Sequence, residues 1–325
     1  MPGKLIVDEI EDSGGTSVIG RKNYIINGNF DIWQRGTSVT TGYGPDRFTY
    51  QNSGSTGTLA QGSFTAGQTD VPNNPRYFAN LTVTGADDNA NIAHRIEDVY
   101  TLSGETATIS FYAKHTTNAP TSFNVTSYQV FGSGGSTSVE TSIATSQTTT
   151  TSWQKYTATV TFPSVSGKTI GASSYLELLF INPNNETFDL QIAQVQLEKG
   201  SVATDFEVRP IGEELSLCQR YFYKTFPQGT APAQNVSPGR TILLNYTGAA
   251  SSANSQNFAQ TMRVAPTVTF YNPYAANALF RQWNSANDKT YTAVEIQEDM
   301  IRAFYFNGDN FTGGHQNYTA DAELW

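Results

Sequence analysis

The sequence predicts an all-β protein: a β-sandwich, a short linker helix and a second, smaller β domain. Three observations carry this. Only 14% of the 325 residues are charged, and 27 glycines accompany long Ser/Thr/Asn stretches, a balance that disfavours helices and suits strands joined by polar turns. Apolar residues alternate with polar ones in run after run, the period of a strand with one buried face. Apolar spacing of four, three and four residues, the mark of a helical face, stands out only in residues 210–224.

The order of elements follows from these patterns. Residues 1–22 form a separate opening in which Leu5, Val7 and Ile10 punctuate acidic residues, and Ser13-Gly14-Gly15 supplies a turn before Val18 and Ile19. Too short to bury those side chains alone, it reads either as an association or anchoring segment, ordered on contact with copies of itself or another protein, or as a frayed tail. Residues 23–209 read as the sandwich. In Thr106 to Lys114, Ala107, Ile109, Phe111 and Ala113 alternate with Thr108, Ser110 and Tyr112, and Tyr156, Ala158, Val160 and Phe162 alternate with threonines. Tyr175 to Ile181 is apolar on both faces apart from Glu177, as a central strand would be. Across Phe188 to Leu197 the apolar phase slips, which predicts a β-bulge near Ile192 and Ala193. Gly132 to Ser152 offers only Val139, Ile143 and Ala144 for burial and reads as an exposed excursion with weak edge pairing.

Residues 210–224 read as the linker helix, with Pro210 near its first position, Glu213 and Glu214 in its first turn, and Ile211, Leu215, Cys218 and Phe222 on one face. Residues 225–325 read as the small C-terminal β domain, with strands at Thr241 to Tyr246, Val268 to Tyr271, Tyr291 to Ile296 and Ile301 to Phe306. Its end, Ala320 to Trp325, keeps apolar residues to the last position and reads as docked.

Composition narrows the function. A net charge of -9 argues against nucleic acid as a partner, because neutralising phosphates takes clustered cations. No segment has the uninterrupted apolar length for membrane insertion, and no basic region followed by an apolar stretch marks a signal peptide. The single cysteine, Cys218, has no intramolecular disulfide partner and reads as a small packed hydrophobe.

A search for catalytic chemistry yields little. His94, His115 and His315 lack the spacing that presents two ligands to zinc, so no metal and no cofactor is expected. Groups such as Gly132-Ser133-Gly134-Gly135 lack the Lys-Ser/Thr of a phosphate loop. Asp87-Asp88 and Glu97-Asp98 are sequence neighbours, which point to opposite faces of a strand, and read as solvated surface carboxylates. A glycosidase or lyase would need two carboxylates converging in one cleft, and no such convergence is expected, so the chain reads as not an enzyme. Among the aromatics, Trp33, in a strand-like run, and Trp153 read as structural. Tyr271, Tyr274 and Trp283, in a polar, proline-punctuated stretch, are the candidates for stacking on a sugar.

Several blocks carry a family likeness. Asn23-Tyr24-Ile25-Ile26-Asn27-Gly28-Asn29-Phe30-Asp31-Ile32-Trp33-Gln34-Arg35-Gly36 resembles the opening of phage tail-fibre and virion-decoration proteins, whose first domain looks like a carbohydrate-binding-module jelly roll. Gly44 to Phe48, Arg95-Ile96-Glu97-Asp98-Val99, Trp153-Gln154-Lys155-Tyr156, Ala193 to Gly200 and Ala203-Thr204-Asp205-Phe206-Glu207 look like the same family, in order. Leu217-Cys218-Gln219-Arg220-Tyr221, Thr261 to Val268 and the segment Lys4 to Val18 are also similar to tail-fibre sequences.

The resemblance implies a jelly-roll sandwich in a virion appendage or capsid decoration. It also implies a homotrimer joined through the N-terminal segment to itself and to other virion proteins, glycan recognition at the host surface, and no shared catalytic mechanism. Related modules often hold a structural calcium with an acid after the Asn-Gly-x-Phe turn and an Asp in the final strand. Asp31 matches the first, but Ala193-Gln194 replaces the second, so calcium is not expected here.

Overall fold

The structure, a computed structural model, describes residues 22–85, 89–182, 185–244, 251–252, 255–283, 287–306 and 313–324. Leu5, Val7 and Ile10 of the association segment, and the Asp87-Asp88 pair, lie outside the described residues.

The first part is a sandwich of two six-stranded antiparallel sheets. Its strands are β1 (Ser38–Val39), β2 (Gly42–Tyr43), β3 (Phe48–Ser53), β4 (Thr56–Ser63), β5 (Tyr77–Gly85) and β6 (Asn89–Glu97), followed by β7 (Thr106–Lys114), β8 (Phe123–Val130), β9 (Val139–Gln147), β10 (Gln154–Thr161), β11 (Tyr175–Ile181) and β12 (Phe188–Lys199). One sheet runs β1-β4-β5-β12-β7-β10, the other β2-β3-β6-β11-β8-β9. Between them lies one continuous core that includes Phe48, Tyr50, Ile109, Phe111, Phe123, Leu178, Phe180 and Leu197. The alternation read in β7 is the reason: its apolar set faces this core, and Phe111 meets Phe180 edge-on at 4.9 Å. β11 pairs with β6 on one side and β8 on the other, the central position its apolar run demands. β9 is an edge strand with an irregular register, and Ile143 and Ala144 pack partly against the core.

The phase slip in β12 is real but lies a step further along than expected. The bulge falls between Ala193 and Gln196, where Gln194 adopts φ 49°. The N-terminal block dictates this. Asn23 to Gly28 runs beside β12, Val195 N donates to Gly28 O at 2.9 Å, and any Cβ on Gly28 would collide with Val195 O. Trp33, expected in a strand-like run, sits in irregular chain and donates its indole N–H to Phe30 O.

The helix, α1 (Ile211–Gln219), is shorter than 210–224, and Pro210 is its N-cap residue. Phe222–Lys224 is instead a strand, β13, whose backbone is claimed by pairing with residues 319–321. This tertiary pairing overrides the helical spacing. Ile211, placed on the buried face by the spacing, is exposed; the helix buries Glu214, Cys218 and Gln219. Burial pushes the Cys218 thiol well up.

The smaller β region comprises β14 (Thr241–Leu244), β15 (Ser251–Ser252), β16 (Gln256–Asn257), β17 (Thr267–Tyr271), β18 (Phe280–Gln282), β19 (Asp288–Lys289), β20 (Tyr291–Ile296), β21 (Met300–Phe306) and β22 (Gly313–Asp321). β22, not foreseen, is its spine: β14 and β13 pair along one edge, β18 and β17 along the other. Tyr318 and Ala320 face a small core with Phe280, Ile301 and Phe304. His315, Asn317, Thr319 and Asp321 occupy the opposite face by alternation. Ala322 and Leu324 are buried, so the described end of the chain is docked.

Ionic and polar contacts join sandwich, helix and β region. Arg47, fully buried, donates to the equally buried Glu323 and to Arg95 O, and its guanidinium lies over the Tyr221 ring at 3.5 Å. Arg35 reaches Asp46 and Asp321, and Tyr43 Oη donates to Leu324 O. Glu97, expected to be a solvated surface carboxylate, is half-buried and paired with both Nε and Nη2 of Arg220. Residues 35–47, 95–97 and 220–221 thus supply much of the stitching of the molecule.

Candidate carbohydrate-binding surface

Two of the three aromatic candidates come together. Trp283 directly follows β18 and donates its backbone N–H to Gly313 O. Tyr274 lies in a turn held by asparagines: Asn272 Oδ1 accepts from Tyr274 N, Asn272 Nδ2 donates to Asn277 Oδ1, and Asn277 Nδ2 donates to Asp288. Both rings stand edge-on to His315, at centroid distances of 6.1 Å for Tyr274 and 5.5 Å for Trp283.

Yet both remain open to solvent, Tyr274 at 43% and Trp283 at 41% exposure. Beneath them, strand pairing sets Ile242, His315 and Arg281 in one row across β14, β22 and β18. The guanidinium groups of Arg240 and Arg281 lie 5.9 and 5.8 Å from the Tyr274 ring. Arg281 is neutralised by Asp288 at 2.7 Å.

Burial and the nearby Arg240 charge push the His315 imidazole below its usual value, so at neutral pH the ring is uncharged; its Nδ1 is buried and has no hydrogen-bond partner among the described residues. Two open aromatic faces around a neutral hydrogen-bonding ring suit a sugar, whose C–H face stacks while its hydroxyls hydrogen-bond.

Tyr271 does not join them. It packs edge-on against Phe226 at 5.3 Å and lines a separate groove of about 580 Å³ with Arg35, Phe222, Thr267, Asp321 and Glu323. Here the expectation that no two carboxylates converge in one cleft is overturned: Asp321 and Glu323 both reach Arg35 Nη2, at 3.1 and 3.4 Å. The reason is that β22 delivers Asp321 to the mouth of the sandwich, two residues before Glu323, where Arg35 and Arg47 draw both carboxylates in.

A third surface was missed. On the face of the second sheet turned away from the core, cross-strand pairing aligns Arg95, Glu177 and Tyr128. Glu177 accepts from Arg95 Nε and Gln51 Nε2, both at 2.8 Å, and Arg95 lies 4.9 Å from the Tyr175 ring. Glu177 was the one polar break in an apolar strand; its partners come from other strands and carry no mark in the sequence.

Trp33 and Trp153 are buried, Trp153 packing on Phe64 and Phe78. Asp31, the residue matching a calcium ligand, accepts from Asn29 Nδ2, and Gln194 of the bulge is turned to donate to Pro72 O. Among the described residues no three His, Cys, Asp or Glu are grouped to hold a metal ion, and no helix is long and apolar enough to cross a membrane.

No family model and no curated protein matches the chain. Solved structures are similar over about half of it. The CBM22-1 xylan-binding domain of Paenibacillus barcinonensis Xyn10C is 14% identical, over 51% of this chain and 94% of that one, with a TM-score of 0.34. The enzymatically active domain of bacteriophage CBA120 tailspike protein 4 is 14% identical over 55% of this chain and 21% of that one, with a TM-score of 0.34. The N-terminal cellulose-binding domain of Cellulomonas fimi β-1,4-glucanase C is 15% identical over 52% of this chain and 98% of that one, with a TM-score of 0.33.

Proposed function

We propose that this chain is a non-catalytic glycan-binding adhesin of a bacteriophage virion, a tail or head fibre that attaches to host-surface sugar through Tyr274, Trp283 and His315. The observation that carries the binding reading is the pair of open aromatic rings held around one neutral imidazole on a firmly paired strand. Burying two such rings on a ligand recovers apolar area that the free protein leaves in water. The virion reading rests on the sequence blocks that resemble phage fibre and decoration proteins, and with it come assembly as a homotrimer and anchoring through residues 1–22.

Antibodies raised against the chain are expected to label intact particles at the tail tip or head; absence of the chain from purified particles would sink the virion reading. Labelled particles with no sugar binding would instead make it a decoration protein or connector.

One observation favours a hydrolase, the meeting of Asp321 and Glu323 in a groove. Neither carboxylate stands apart from an arginine, however, as a proton donor to a leaving group would need to. Incubation with host capsule or wall polysaccharide is expected to release no fragments; release that disappears in Asp321→Asn would establish catalysis.

A further inference from the structure

The groove holding Tyr271 is separate from the aromatic patch, although both lie on the same face of β22. His315 marks one end of that face and Asp321 the other, about 20 Å apart at the usual rise of a strand. Between them Asn317 is fully buried, donating to Val236 O, so the segment through Val236 divides the face in two.

The groove's chemistry differs from the patch's. Thr267 and Thr269 of β17 line it with exposed hydroxyls, with the buried Thr319 of β22 behind them, while the partly exposed Tyr271 supplies ring surface. Arg35 lies over Phe222 at 3.7 Å and Asp321 is partly open to solvent. The Glu323 side chain has no exposed surface, and its Oε1 lies 3.4 Å from Arg35 Nη2, an ion pair that holds the guanidinium at the groove. Arg35 and Arg47 face three acids, Asp46, Asp321 and Glu323, and burial pushes Asp46 up to about 7, so the cluster carries at most one net negative charge and gives little field to draw an anionic ligand. Its volume of about 580 Å³ falls in the usual range for small-ligand sites, roughly 300–1,000 Å³.

From this we infer that the groove is a second sugar-binding site, one that takes a short neutral oligosaccharide with its hydroxyls on Asp321, Thr267 and Thr269. One chain would then hold a surface polysaccharide at two points, and the second contact would add avidity without any new interface.

The test is calorimetric titration of the full chain with neutral pentasaccharides of glucose, xylose, mannose and galactose, alongside glucosamine and glucuronic acid oligomers. Four proteins are compared: wild type, Ala265→Trp, Thr269→Val and Trp283→Ala. Ala265 and Thr269 are exposed in the groove, so neither change disturbs a packed core. At least one neutral sugar is expected to bind, weakened about tenfold or more by Ala265→Trp and severalfold by Thr269→Val, and unchanged at this site by Trp283→Ala. Absence of neutral-sugar binding, preference for a charged oligomer at this site, or insensitivity to Ala265→Trp overturns the groove. Binding lost only in Trp283→Ala would leave the patch standing and the groove refuted, and binding lost only in Ala265→Trp would do the reverse.

Discussion

His94 shows how a residue can look like chemistry and be structure. It packs edge-on to Phe48 at 4.8 Å and its Nε2 meets the backbone of Ile26. Burial, helped by the Arg47 charge, pushes its imidazole well below the ordinary value. The sign follows: below pH ~6.5 the unfolded chain takes up a proton that the folded chain refuses, so stability falls as pH drops. Melting temperatures at pH 7.5 and 5.5 are expected to show a smaller acid loss in His94→Gln than in wild type; equal losses would contradict this.

Asn27 is a second such residue, its amide bridging Ile32 O, Asp46 O and Ile32 N while its own N–H donates to Glu214. These roles fix the turn around it but carry no periodic signal. The rings of Tyr274 and Trp283 stood out because they interrupt a polar, proline-punctuated stretch. Their meeting around His315 could not be read, because a strand much further along the chain supplies the imidazole.

At the scale of elements, strands with clean alternation were legible and those without it were not. β7 and β11 have the residue ranges their patterns indicated, because a buried face fixes their register. β22 escaped notice because Gly313-Gly314-His315-Gln316-Asn317 offers little apolar alternation; its place is set by four neighbouring strands. The helix was overextended for the same reason, since Phe222 fits a helical face as well as a strand and pairing with β22 decided between them.

Two changes test β22 as the spine. Tyr318→Ala, which empties the centre of the small core, is expected to cost about 3 kcal/mol or more in denaturant unfolding. Gly314→Ala would place a methyl against the Arg281 carbonyl and push β18 away. It is expected to lower the melting temperature and weaken glycan binding together; a fully active, equally stable variant would show that the β18–β22 approach is not needed.

Across the whole molecule, the sandwich and the β region are held by the buried pairing of Arg47 with Glu323 and the arginine contacts around it. A buried charge left alone is more costly than the pair is stabilising, so Glu323→Gln is expected to cost about 3 kcal/mol or more, while Arg47→Met with Glu323→Leu recovers most of it. Equal stability of the single and double variants would show that the junction is not an isolated ion pair. The division into sandwich and smaller β region was legible from composition and spacing. The junction was not, because Arg47 and Glu323 stand at opposite ends of the sequence.

The most direct test of the account is binding of the purified chain to a host-surface glycan array and to host cells, beside the Tyr274→Ala, Trp283→Ala double variant. Both changes are at exposed rings, so folding is expected to be unaffected. The account predicts saturable binding by wild type, weakened at least about tenfold in the double variant with its melting temperature unchanged. Equal binding by both proteins, or none by either, would contradict it.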